Sequence, residues 1–209
     1  GSHGTWRDVS CVAWKLAQRF QNSCCPSCYS SSVLPFEGFT RHLENAYDTR
    51  GGRVLLRCTS RRRLIEEKPQ HGTRGEDLWL ILPDIKKTDR GIDACTEDLS
   101  RCVSDALQSV IQYERAVAKD RTDGTEAPLA RIVCHGIGHS LGGLLLRRGV
   151  RNAIDSTTVE GGSLVTIASP HTGVVDMPSR GLRVSGQMVA ALGRSKTYQE
   201  LFLNSDTLL

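Results

Sequence analysis

The chain has 209 residues, 39% of them hydrophobic, enough for one sizeable core and no demand for two. Its formal net charge of +4 is too small to mark a nucleic-acid binder, and the densest basic patch, Arg57 with Arg61-Arg62-Arg63, is followed at once by Glu66-Glu67. No apolar run reaches membrane-spanning length and no signal peptide is evident, so a soluble, cytoplasmic chain is the expectation.

Taken in chain order, Val9, Val12, Ala13, Leu16, Ala17 and Phe20 fall on one helical stripe, with Asp8 placed to cap it. From about residue 21 to 76 the sequence is rich in Ser, Gly, Arg and Pro and holds only short apolar groups such as Val54-Leu55-Leu56. This stretch is predicted to be an elaborated insertion in a single domain spanning residues 1–209. The continuous apolar run Asp77-Leu78-Trp79-Leu80-Ile81-Leu82, ended by Pro83, predicts a strand buried on both faces and central in a parallel sheet. Leu99, Cys102, Val103, Ala106, Leu107, Val110 and Ile111 recur at helical spacing and predict the longest helix, ending before the polar loop Lys119 to Gly124. Ala130 to Ile137 reads as a buried strand, Leu141 to about Ile154 as a helix, and Leu164 to Ala168 as a strand after Gly161-Gly162. This alternation gives the α/β class, a mostly parallel sheet flanked by helices.

Eight cysteines are many for an intracellular enzyme, but they are dispersed. Cys95 and Cys102 lie in the helical pattern and Cys134 in a strand, where a free thiol behaves as a small hydrophobe. Only Cys24, Cys25 and Cys28 have ligand-like spacing, and no second Cys-x-x-Cys is present to complete a zinc site. They read as reduced loop thiols, and no metal is expected.

The chemistry concentrates at Gly138-His139-Ser140-Leu141-Gly142, which stands between a predicted strand and a predicted helix. A serine at such a turn is presented at a helix N-terminus, where the helix dipole and the Leu141 N–H face an oxyanion formed on an attacked carbonyl. Gly138 and Gly142 are expected to lack side chains so that strand and helix can cross closely. A glycine-rich turn with an idle serine is the plainer reading of the five residues alone. A phosphate loop is disfavoured by the absence of a Lys-Ser/Thr ending and of Gly-x-Gly-x-x-Gly spacing.

Gly138 to Leu144 together with Ser169-Pro170-His171-Thr172-Gly173 resembles the eukaryotic putative serine esterase, a lipase-like family. Asp89-Arg90-Gly91-Ile92-Asp93 is similar to that family's segment before the elbow strand, and His3-Gly4-Thr5-Trp6 to its His-Gly oxyanion loop. Gly1-Ser2-His3 also has the form of a cleaved-tag scar, and the His-Gly reading is preferred because a helix follows at the right distance. The resemblance implies the α/β-hydrolase fold, incomplete at both ends, and hydrolysis of a carboxylic ester, with a lipid favoured. It implies Ser140 as the catalytic nucleophile, Leu141 and the Gly4-Thr5-Trp6 loop as oxyanion donors with Thr5 its central residue, and no cofactor. A lipid or other ester is the implied partner, peripheral membrane contact is left open, and nucleic acid is not expected. The rival reading is a catalytically inactive hydrolase-like domain serving as an interaction or regulatory module.

His135 is expected to be a satisfied buried histidine and His139 to point into the strand–helix junction. For His171 the resemblance suggests a place at the pocket rim or in fixing a loop. Hydrolases of this class order their triad as Ser, acid, His, and His171 is the only histidine after Ser140, too early to be the base. Asp176 and Asp206 have no histidine beyond them. The stretch alone is therefore expected to hydrolyse esters poorly and to be prone to aggregation.

Overall fold

The computed structural model describes residues 6–22, 36–48, 50, 52–59, 77–121, 131–154, 158–171 and 195–203. The chain divides into two compact units, Gly1–Asp84 and Ile85–Leu209, where the sequence alone suggests one domain.

In the first unit, helix α1 (Trp6–Asn22) and helix α2 (Phe36–Asn45) accompany strands β1 (Tyr47–Asp48), β2 (Arg53–Thr59) and β3 (Asp77–Pro83). Helix α1 begins at Trp6, so Asp8 sits inside the first turn and not at the cap. The predicted stripe divides: Ala13 and Ala17 are buried, whereas Val9, Val12 and Leu16 remain exposed. The core gathers Ala13, Ala17, Phe39, Leu43, Val54, Leu56, Cys58 and Leu80. Most of these residues come from the stretch predicted to be an insertion, which makes it the source of this unit's apolar interior.

Strand β3 corrects a second expectation, because it pairs antiparallel with β2, from Arg53↔Pro83 to Thr59↔Asp77, in a sheet of order β1-β2-β3. Leu80 is its one fully buried residue. Leu78, Leu80 and Leu82 lie opposite Cys58, Leu56 and Val54 at the core, which leaves Trp79 and Ile81 on the other face, half-buried. There the Arg57 guanidinium lies over the Trp79 ring at 5.9 Å and bonds Asp77 at 2.8 Å. A cation held over an aromatic ring covers part of that face. The Tyr47 hydroxyl donates to Asp84 Oδ2 at 2.7 Å and the Asp84 N–H to Gly52 O at 2.7 Å, closing this unit.

The second unit contains helix α3 (Ile92–Arg121), strand β4 (Ile132–His139), helix α4 (Leu141–Ala153), strand β5 (Val159–Ile167) and helix α5 (Lys196–Leu203). The buried stripe of α3 is the predicted one, extended toward the N-terminus by Ile92, Cys95 and Thr96, and the helix continues through Lys119 to Arg121. Its early start follows from a cap supplied by α5. The Gly91 N–H donates to Thr197 Oγ1 at 3.0 Å and the Ile92 N–H to a Glu200 carboxylate oxygen, while Thr197 Oγ1 donates to Thr88 O and the Lys196 N–H to Asp89 O. The first turn of a helix leaves N–H groups without partners, and an acceptor carrying negative charge suits that end of the dipole. Helices α3 and α4 approach closely at Gly149, where a Cβ would come within 3.2 Å of Leu99 and Ser100.

Strands β4 and β5 are parallel, joined through α4, and are the parallel pair among the described strands. The chain is thus mixed helix and strand, and the described residues form one antiparallel and one parallel sheet instead of a mostly parallel one. Gly161 and Gly162 lie inside β5, not before it, because the register slips between Cys134 and Gly136. His135 Nδ1 accepts the Ser163 N–H at 3.0 Å at this slip, and a Cβ on Gly162 would stand 2.6 Å from the imidazole. Val133, Ile137, Val165 and Ile167 are 40–52% exposed. No helix among the described residues is long and apolar enough to cross a membrane.

Cys58 and Cys95 are buried, Cys102 and Cys134 half-buried, and Cys11 exposed, none of the five in a disulfide. Cys24, Cys25 and Cys28 lie outside the described residues. Burial pushes the Cys58 thiol up to about 11 from an ordinary 9.0 and raises Cys134 for the same reason. The folded state therefore holds the Cys58 proton where the unfolded chain releases it, so its contribution to stability is complete below about pH 9 and is lost between about pH 9 and 11. Replacing Cys58 by Ser or Ala should remove that part of the alkaline slope in denaturant titrations; an unchanged slope would contradict it. Glu200→Ala should cost about 1–3 kcal/mol by leaving the Ile92 amide buried without an acceptor. Glu200→Gln, which keeps an acceptor oxygen, should lose less, as read from thermal melts.

Candidate active site

Ser140 follows the last residue of β4 and is the N-cap of α4, with φ 53° and ψ −130° and no side-chain capping bond. Such angles are strained for a residue with a Cβ and cost about 1–3 kcal/mol, so the surroundings must impose them. Two backbone bonds do so: the Ser140 N–H donates to Ile167 O at 2.9 Å, and the Gly143 N–H to Ser140 O at 3.1 Å. The side chain of Ser140 is left exposed, its hydroxyl uncommitted to the cap.

Sterics complete the turn. A Cβ on Gly138 would stand 2.4 Å from Gly143 Cα and 2.7 Å from its N, so strand and helix backbones touch there. Gly142, expected to share this role, faces open space, with nothing within 4 Å of an added Cβ. The second obligatory glycine is Gly143, whose Cβ would come 1.9 Å from Ser169 Oγ and 2.9 Å from Ser169 Cβ. The tandem Gly142-Gly143 carried that signal, but the spacing of the motif drew the assignment one residue too early.

Leu141 opens α4, so its N–H has no carbonyl a full turn earlier in the helix to bond and points out of the N-terminus. The first turn of α4 holds no acidic side chain, which leaves the positive end of the dipole without an opposing carboxylate of its own. The arrangement therefore offers a donor to an oxyanion formed beside Ser140. Thr5, the other expected donor, lies outside the described residues, as do Gly4, Asp176 and Asp206.

The histidines fall differently from expectation. His139 is exposed at the end of β4, paired with Ile167, and is not directed into the strand–helix junction. His135 is exposed too; its bond to the Ser163 N–H satisfies it, but at the surface and not in a buried setting. His171, half-buried, shares a hydrogen bond with Thr166 Oγ1 at 3.0 Å through Nε2, while its Nδ1 is buried with no partner among the described residues. Ala168 between them adopts φ 49°. Among the described residues no imidazole or carboxylate bonds the Ser140 hydroxyl.

A groove of about 410 Å³, lined by Asp93, Thr96, Glu97, Ser100, Arg148 and Asn152, contains none of the elbow residues. Comparison of the chain with family models, with curated proteins and with solved structures returns no match.

The glycine geometry separates three substitutions that the sequence motif alone treats alike. Gly138→Ala and Gly143→Ala should each destabilise by about 1–3 kcal/mol or prevent folding, since backbone or Cβ atoms would have to move. Gly142→Ala should be neutral or stabilise by up to about 1 kcal/mol, as a helical Gly→Ala in open space. Chemical denaturation of the three variants checks the order.

Proposed function

We propose that the chain carries the nucleophile of a lipase-like serine esterase of the α/β-hydrolase class. The observation that supports this most directly is the backbone of Ser140, held at φ 53° and ψ −130° between a strand and the N-terminus of a helix with its side chain exposed. An idle serine has no need of strained angles, whereas a nucleophile that must project clear of both elements does.

In this reading Ser140 Oγ attacks the ester carbonyl as a general base takes its proton, and the Leu141 N–H stabilises the oxyanion. The alcohol then leaves and water releases the acid from acyl-Ser140. By the resemblance, the loop at Gly4-Thr5-Trp6 supplies a second oxyanion donor, and the substrate is a lipid or other carboxylic ester. His171 is assigned no proton transfer, since its Nε2 bonds Thr166 and, among the described residues, no carboxylate meets its Nδ1.

The alternative, an inactive hydrolase-like module, draws on the lack of an imidazole at the Ser140 hydroxyl among the described residues. A fluorophosphonate probe separates the two. Labelling of the intact protein at Ser140, abolished in Ser140→Ala without loss of thermal stability, is the expected outcome. A folded protein that takes no label at Ser140, and hydrolyses no p-nitrophenyl butyrate, would favour the inactive module.

A further inference from the structure

We infer that His171 and Thr166 form a positioning pair for Ser140, bracing the turn after β5 whose carbonyl holds the nucleophile's backbone in place; this rests on the esterase reading for its catalytic consequence, not for its geometry. The Ser140 N–H bonds the carbonyl of Ile167, so the direction of that carbonyl sets one of the two backbone restraints on the strained serine. Immediately after it, Ala168 takes φ 49°, a left-handed angle that a residue with a Cβ adopts only when its neighbours hold it there.

His171 does the holding from both sides of the turn. Its N–H donates to Ser169 O at 3.0 Å across Pro170, whose ring fixes φ near the value such a tight turn needs. Its ring folds back to Thr166 Oγ1 at 3.0 Å, the residue just before Ile167. Residues 166 and 171 are thereby tied across Ile167, Ala168 and Ser169. The tie reaches the elbow by a second route as well, because Ser169 and Thr166 are the side chains that lie against Gly143 in the first turn of α4.

Among the described residues Nδ1 has no partner, and the ring's one bond is the tie to Thr166, the contact that the brace requires.

The experiment compares His171→Ala, His171→Gln and Thr166→Val with the unmodified chain. Two quantities are read: amide hydrogen exchange over residues 138–143, which needs no activity, and the rate and pH profile of fluorophosphonate labelling at Ser140. His171→Ala and Thr166→Val should each speed exchange of the elbow amides about tenfold, the loss of one hydrogen bond, and slow labelling by a similar factor with the shape of the pH profile unchanged. The double variant should be no worse than either single one, and His171→Gln, whose amide can reach Thr166 Oγ1, should recover most of the loss. Thr166→Ser, which keeps the hydroxyl, should behave as the unmodified chain and guards against a folding defect at this position. Elbow exchange unchanged in both His171→Ala and Thr166→Val would overturn the inference. So would labelling abolished in His171→Ala and His171→Gln with an altered pH profile, while Thr166→Val labels normally, because that pattern makes His171 the base. If the unmodified chain takes no label, the esterase reading fails while the exchange data still decide the brace.

Discussion

The backbones of β4 and α4 touch at Gly138 and Gly143, and this contact is what the rest of the junction depends on. With a Cβ on Gly138 the helix would have to retreat from the strand, and a Cβ on Gly143 would collide with Ser169 and Thr166. Held as it is, the strain falls on Ser140, the one residue between strand and helix. The same closeness brings Ser169 against Gly143 and lets the end of β5 reach the Ser140 amide. Strand, turn and helix therefore form one mechanical unit in which the angles of Ser140 are an outcome of packing at Gly138 and Gly143.

Each unit settles its backbone polar groups by borrowing from a distant part of the chain. In the first, β2 gives β3 its antiparallel partner and Tyr47 reaches Asp84. In the second, the α3 N-terminus is satisfied by Thr197 and Glu200 of α5. Helix α4 differs, because its N-terminus receives no carboxylate from its own first turn and no capping side chain from Ser140.

The elbow was legible in the sequence because it is local: a strand, a glycine two residues before the serine and a helix are all specified within about a dozen positions, and steric exclusion acts over that range. The stripe of α3 was legible for the same reason, since Leu99 to Ile111 repeat at the helical period regardless of what covers them. Pairing was not. The run Leu78 to Leu82 reads alike whether its second face is covered by helices or by Arg57 stacked on Trp79, and only the partner strand distinguishes the two. The core role of Phe39, Leu43 and Val54 was hidden by loop-like composition around them, and the roles of Gly143 and His171 depend on Ser169 and Thr166, which spacing within the elbow does not report.

The cap on α3 also sets an order of events. Ile92 and Glu200 are 108 positions apart, so the first turn of the longest helix cannot acquire its acceptor until nearly the whole unit has been synthesised and α5 has docked. Contacts of such separation form late, after closure of the intervening loop has been met by other gains. During synthesis α3 would propagate from its middle, around Val103 and Ala106, with its leading turn frayed. The junction at Thr88–Ile92, leading into the helix, would then order last, with the arrival of α5.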